Sequence, residues 1–341
     1  MPTRTACSRP EPERPRAPEA MRPEEVEALV RARPWADHSG ARELVRAFPD
    51  RLRTVLERWD LTVVRAFAEG AGLPVLEVVG RASGPAVLKL GGHGADLSQQ
   101  VRVLQAADGR GFVRVLEHDE EQDAVLLEKL GPTLFRTVPD PVEQAAHLAA
   151  LLPAAWALPT ECAEILEPGA KARGLLVLVD GALAVESEPA ESGGERPGLG
   201  TRHRDVLERA RELALALIEE PAAELVLVHG DPHAGNALRR GEEHVLIDPD
   251  GFLGEREYDA GVALRDHQQM IDVLERSDGP GAGRRRHAQL VASTADQLGL
   301  EEERVAAWAH LERVTTGVHL HRLGWRDEGE AWLRTARAVL S

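Results

Sequence analysis

The period of the apolar positions changes along the chain, and each change marks a different kind of element. Over residues 23–60 the apolar residues recur every four positions. In ARELVRAFPDRLRTVLERW, Leu44, Phe48, Leu52 and Leu56 fall on one face of a predicted helix. From Leu61 to Leu130 the pattern becomes short apolar or alternating runs, LTVVRAF, PVLEVVG and PAVLKLG, punctuated by Gly, Pro and Ser, which predict strands. One helix, ADLSQQVRVLQAADG, ends near Gly109, and two further strands follow, FVRVLEHD and DAVLLEKL, joined by an acidic turn. After Gly131 helical spacing dominates, in VEQAAHLAALLPAAWAL (interrupted at Pro153) and in DVLERARELALALIEE. Residues 186–200 and the run SDGPGAGRRR read as flexible loops. Residues 1–22 are rich in Pro, Arg and Glu without apolar periodicity and predict a disordered tail. The expected organisation is that tail, a helical lead-in (23–60), a small β-rich lobe (61–130) and a larger mainly helical lobe (131–341), an α+β class.

Composition narrows the partners. The 341 residues are 43% apolar and 29% charged, enough for a sizeable core. With 41 Lys+Arg against 57 Asp+Glu the formal net charge is −16, which argues against a nucleic-acid binder and is compatible with attracting a cationic small molecule. Cys7 and Cys162 fit neither a structural disulfide nor a zinc motif. The N-terminus has no apolar core segment of a signal peptide, and the most apolar helical stretch, His147–Leu158, is too short to span a bilayer. A cytoplasmic protein without a membrane partner is expected; no feature speaks to its oligomeric state.

The chemistry concentrates in LVLVHGDPHAGNAL, residues 225–238, where a strand-like run delivers His229, Asp231, His233 and Asn236 in quick succession. The following ALRR, GEE and HVLI read as a hairpin with a three-residue loop, Ala237 facing Ile247 and Leu238 facing Leu246, so that Asn236 and Asp248 meet at its open end. Two carboxylates and an amide oxygen are hard ligands that suit Mg²⁺. Asp, four residues, then Asn is also the spacing of the protein-kinase catalytic loop, where the Asp orients the attacking hydroxyl and the Asn holds metal; Asp248 takes the place of the second metal-binding Asp. Two other readings stand beside this one. Each residue singly could be a turn residue. Alternatively, His229 and His233 with Asp231 could serve a metal-dependent hydrolase, although Gly230, Pro232 and Gly235 disfavour the helix that an i, i+4 histidine pair needs.

At this point the chain resembles a known family. HGDPHAGNAL followed by VLIDPDGFLGEREYD looks like the aminoglycoside phosphotransferase branch of the protein-kinase-like fold, and within it the streptomycin 6-kinase and hydroxyurea phosphotransferase family of antibiotic-resistance kinases. The likeness runs from about Ala32 to Arg265 and includes LVRAFPDRLRTVLERWDL, PAVLKL and DGRGFVRVLEHDEEQDAVLLEKLGP. It implies a two-lobed kinase-like enzyme that moves the γ-phosphate of ATP to a hydroxyl of a small, cationic molecule, an aminoglycoside, with Mg²⁺ held by Asn236 and Asp248 and Asp231 as the catalytic residue. Lys89, one of only three lysines, sits inside an apolar strand and takes the role of the phosphate-contacting cation. Gln100 stands where the family places the Glu partner of that Lys, a departure; Asp96, one turn earlier, is the nearest carboxylate. The nucleotide-covering loop, EGAGLPVL, supplies only Gly70 and Gly72. Glu128 and Leu130 fall at the hinge whose backbone meets adenine, and His229, His233 and Asp259 brace the catalytic loop. Glu255, Glu257 and Asp266 are the candidate acceptor-binding acids. Rival readings are a kinase of an endogenous metabolite and a catalytically weak, kinase-like binding protein, the latter motivated by Gln100.

Overall fold

The computed structural model describes residues 21–33, 41–67, 74–92, 97–189 and 195–340. Most of the expected tail, the Gly70/Gly72 loop and Asp96 lie outside the described residues. Two compact units divide the chain: residues up to Ala95 with Asp119–Leu126, and Asp96–His118 with Leu127–Ser341.

The first unit begins with helices α1 (Pro23–Arg31) and α2 (Arg42–Arg58), followed by strands β1 (Leu61–Ala66), β2 (Leu76–Gly80) and β3 (Gly84–Leu90). With β4 (Val115–Asp119) and β5 (Ala124–Glu128), the five-stranded sheet is ordered β1-β2-β3-β5-β4. The four-residue period of α2 buries Phe48, Leu52 and Val55, with Leu44 and Leu56 at the margins. These side chains join Val26 and Val30 of α1 against Val63, Val78, Leu88 and Leu126 of the sheet. Arg51 of α2 donates to Gly91 O (3.0 Å) and to Gln122 O (2.6 Å), tying the helix to the turn that precedes β5. Along β3 the alternation buries Ala86, Leu88 and Leu90 and puts the half-buried Lys89 on the other face.

The second unit is mainly helical. It opens with α3 (Ser98–Ala107) and, after β5, continues with α4 (Leu134–Thr137), α5 (Pro141–Trp156) and α6 (Ala170–Leu183). Strands β6 (Ser187–Pro189) and β7 (Glu195–Pro197) then lead to α7 (Leu199–Arg202) and α8 (Arg204–Glu219). Helix α5 runs through Pro153 without stopping, because the proline sits in the last turn and forfeits a single helical bond. The 186–200 stretch, read as a flexible loop, instead pairs antiparallel with Ser187 opposite Pro197. Buried Glu188 holds that ribbon in place by accepting from Leu199 N (3.2 Å) and bonding His321 Nε2 (3.1 Å), long-range contacts that no local period encodes.

Strands β8 (Val226–Val228), β9 (Ala237–Arg240), β10 (Glu243–Leu246) and β11 (Phe252–Gly254) follow. Helices α9 (Arg256–Ala263), α10 (Gln268–Ser277), α11 (Ala282–Leu298), α12 (Glu302–Arg322) and α13 (Arg326–Val339) complete the unit. Helix α12 packs against α6, α8, α9, α11 and α13 and is buried nearly all round, which its sequence accommodates only by burying Glu312 and Arg313 as well as Val314 and Val318. Among the described residues no helix is long and apolar enough to cross a membrane.

Candidate active site

The site is built where a short buried strand ends. Val226, Leu227 and Val228 of β8 are buried, and β11 covers them in antiparallel register with Phe252 opposite Val228. At Gly230 the chain turns with φ 94, a conformation that favours glycine. The hairpin that follows differs from the expected register by one residue. Leu246 faces Ala237 and Val245 faces Leu238, so Ile247 rather than Asp248 meets Asn236, through Ile247 N to Asn236 O at 2.9 Å. The reason is the turn: only Gly241 and Glu242 form it, with Gly241 at φ 63 in the first central position of a two-residue hairpin loop. Asp248 then leaves strand geometry altogether, at φ 56, a left-handed conformation that Asp tolerates better than most residues.

The segment from Ile247 to Gly251 wraps His229. Buried His229 donates from Nε2 to Ile247 O (2.9 Å), accepts Asp231 N–H at Nδ1 (3.2 Å), and its carbonyl takes Asp250 N–H (2.7 Å). Burial pushes its pKa down to about 4, so the ring is neutral and both nitrogens are spent on hydrogen bonds. His233 braces the other side of the loop, accepting Gly235 N–H at Nδ1 (3.1 Å) and lying 3.6 Å from Asp231 Oδ2 and 3.5 Å from Asp266 Oδ2.

Asp231 is gripped by Arg265, whose Nη2 donates to Oδ1 at 2.5 Å. Burial acts to raise the Asp231 pKa, but the Arg265 guanidinium, helped by His233, outweighs it and holds the carboxyl below its ordinary range. Arg265 is itself shared with Asp266 (3.2 Å) and with Glu312 of α12 (3.4 Å). Asn236 donates from Nδ2 to Asp231 O (3.0 Å) and Oδ2 (3.4 Å), which leaves its Oδ1 as the amide atom for a cation. Gln100 of α3 donates to Asp248 Oδ1 at 3.4 Å, and the adjacent Gln99 donates to Gly251 O and to Cys162 O. Gln100 therefore reaches the Asp248 carboxylate. With a carboxylate at 248 and an amide oxygen at 236, the donor set has the hard-oxygen chemistry that suits Mg²⁺. Among the described residues no three His, Cys, Asp or Glu gather as a metal group by themselves, so a zinc-hydrolase reading finds no ligand set there.

Asp259, on α9, collects three donors: Gly230 N (2.9 Å) on Oδ1, and His229 N (2.8 Å) and Trp156 Nε1 (3.0 Å) on Oδ2. Burial raises its pKa to about 6 against the pull of those donors. Tyr258, next to it, donates to Glu312 (2.9 Å) and packs edge-on against Phe252 and Trp308. Asp259→Asn puts an amide N–H₂ against a backbone donor and is expected to cost ~2–4 kcal/mol in urea denaturation, while Asp259→Glu keeps the acceptors but not the reach. An Asp259→Asn protein as stable as the parent would remove this bracing role.

The remaining predicted residues occupy distinct places. Glu128 Oε1 accepts from Arg240 Nη1 (3.1 Å) and from Arg114 N (2.9 Å), and its own N–H donates to Arg114 O (3.0 Å), leaving its carbonyl. Leu130 is half-buried beyond it. Of the three candidate acceptor-binding acids, Glu255 is buried and ion-paired with Arg304, Asp266 is joined to Arg265, and Glu257 lies half-buried in the first turn of α9. Arg265, Glu312, Trp156 and Gln99 went unnoticed in the sequence. Arg265 is one arginine among 38, and its partners lie 34 and 47 residues away.

A strand-ended loop with an ionised Asp, an Asn bonded to it and a second Asp beyond a hairpin belongs to phosphotransferases of the protein-kinase-like class. Comparison agrees. The family model for aminoglycoside/hydroxyurea antibiotic resistance kinases matches residues 58–324, and the chain belongs to that family. It is 29% identical over 300 residues to a streptomycin 6-kinase of Streptomyces glaucescens, covering 87% of this chain and 89% of that one. It is 31% identical over 274 residues to a hydroxyurea phosphotransferase of Kitasatospora aureofaciens, covering 79% and 72%. Among solved structures it is similar in fold to a thermostable mutant of aminoglycoside phosphotransferase APH(4)-Ia in complex with ADP and hygromycin B. The TM-score there is 0.55 at 12% identity, over 85% of this chain and 98% of that one. The protein is accordingly a phosphotransferase with an alcohol group as acceptor, of two-lobed α+β kinase-like fold.

Proposed function

We propose that the chain transfers the γ-phosphate of ATP to a hydroxyl of an aminoglycoside, with streptomycin the acceptor to test first. The observation that carries this reading is the Asp231 carboxylate, held ionised by Arg265 and bonded to Asn236 one turn away, in a chain this similar to streptomycin 6-kinases. Asp231 orients the acceptor hydroxyl. The hydroxyl oxygen bonds the γ-phosphorus as the bond to the bridging oxygen breaks, ADP departs, and the hydroxyl proton passes to Asp231 late, when bond formation has made it acidic. A carboxylate with a low pKa is a poor base but a good orienting group, which is what a loose phosphoryl-transfer transition state demands. Asn236 and Asp248 would hold Mg²⁺, which neutralises phosphate charge when bound. Lys89 supplies the cation for the nucleotide phosphates, and Glu128 and Leu130 the backbone groups for adenine. His229, His233 and Asp259 keep the loop in shape. Such an enzyme works where ATP is plentiful, in the cytoplasm.

The test is a transfer assay with labelled ATP, Mg²⁺ and separate acceptors: streptomycin, other aminoglycosides, hydroxyurea and none. Label is expected on streptomycin and is expected to vanish on adding EDTA. Label on hydroxyurea alone would reassign the acceptor towards the second relative. Nucleotide binding with no labelled acceptor would reduce the chain to a kinase-like binding protein.

A further inference from the structure

Seven buried side-chain nitrogens lack a hydrogen-bond partner among the described residues, and four of them fall in one region of the second unit: His267 Nδ1, His287 Nδ1, His310 Nε2 and Arg313 Nη1. All four side chains are buried, Arg313 completely. His310 and Arg313 lie three residues apart on α12 and so share a face. Arg313 donates from Nε to Arg265 O (3.2 Å) and from Nη2 to Leu264 O (3.0 Å), just before His267 in the chain. Helices α10 and α11 close on each other where a Cβ on Gly283 would fall 3.0 Å from Ile271 O. One turn further along each helix, His287 comes level with His267. Arg313 is near enough to oppose a proton on each of the three imidazoles, and His267 and His310 oppose one on His287. The guanidinium itself is bonded to carbonyl oxygens, and Asp266, the acid that acts on it, is held by Arg265 at 3.2 Å.

We propose that Arg313, His267, His287 and His310 form a buried site for one small monovalent anion, of the size and charge of chloride, where α10, α11 and α12 meet. Arg313 Nη1 can only donate. A neutral imidazole carries one N–H, and the tautomers protonated on Nδ1 of His267 and His287 and on Nε2 of His310 make the other three atoms donors as well. Four donors around one buried positive charge match an anion. A water molecule would accept some of these bonds but leave the guanidinium unneutralised, and a buried charge without a counter-charge is costly. A divalent anion would overcompensate a single guanidinium beside neutral imidazoles. Bound there, the anion joins α11 and α12 to the segment from which Arg265 reaches Asp231. The site does not depend on the phosphotransfer reading, and its test does not use transfer activity.

The test is thermal unfolding of the full chain above the ordinary histidine range of pH, at constant ionic strength, with chloride replacing gluconate. The midpoint is expected to rise saturably, by about 2–4 °C, as a ligand bound only by the folded state requires. Arg313→Met should abolish the rise, and His310→Leu, which removes one donor, should cut it by roughly half or more. Crystals grown in bromide should show an anomalous peak against Arg313 Nη1 and the imidazole nitrogens. Equal midpoints in the two salts, a rise that the variants share with the parent, or water without bromide at that position would each overturn the site. If Arg313→Met fails to fold, His310→Leu and the bromide map decide.

Discussion

Asp231→Asn is expected to lower the rate of phosphate transfer by at least ~10³ at saturating ATP and acceptor, with the protein still folded. The size follows from what the residue is proposed to do. Its carboxylate is held ionised by Arg265 and shaped by Asn236, His233 and the Asp231 N–H bond to His229, so orientation and the proton's destination reside in one group. An amide of the same shape offers one acceptor instead of two, and it cannot take the proton. The fold survives because Arg265 does not lose its only partners: Asp266 and Glu312 remain within 3.2 and 3.4 Å. The loss should therefore appear in kcat more than in KM, with the thermal midpoint within a few degrees of the parent. A variant that retains activity within about tenfold of the parent would refute the assigned role, whatever the fold.

How much of this could be read in advance differs from residue to residue. Asp231 and Asn236 were legible because their spacing is local and their setting, strand then glycine then hairpin, is written in apolar periodicity. Asp248 was legible as a chemical type, but the route to it was not. The expected register paired it with Asn236 across a three-residue loop, whereas a two-residue loop pairs Asn236 with Ile247, and a left-handed Asp248 leaves the strand. One residue of slip inverts every side chain of a strand, and only the turn decides it. The groups that support the site were not legible at all. Arg265, Glu312 and Trp156 act through contacts 34 to 103 residues apart in sequence, and in a chain with 38 arginines no single one stands out. The Gln100 departure became informative only once its amide was seen on Asp248, a partner 148 residues away. Local patterning predicts elements and motifs; burial and long-range pairing decide what the motif's residues are held by.

Stability of the second unit is expected to fall steeply below neutrality. His267, His287 and His310 lie buried near fully buried Arg313, and His229 lies buried in the catalytic loop. Burial, with Arg313 adding repulsion at the first three, depresses their pKa values: about 4 for His229 and His267, about 3 for His310, and well below the ordinary value for His287. Unfolded histidines titrate near 6.5, so below that pH the unfolded chain gains protons that the folded one refuses. Their contribution is present above pH 6.5 and is lost as pH falls towards the folded values. Asp250 and Asp259 act in the opposite sense: burial raises both to about 6, so the folded state takes up their protons first. The depressed histidines outnumber the raised carboxyls, so the unfolded chain binds a net excess of protons near pH 5, and each such proton lowers stability by about 1.4 kcal/mol per pH unit. Urea titrations between pH 7 and 5 should show stability falling with pH, and His310→Leu, which removes the histidine held near 3, should flatten that fall by about one proton. Stability independent of pH over this range would mean that the buried histidines are already charged, or already solvated, in the folded protein.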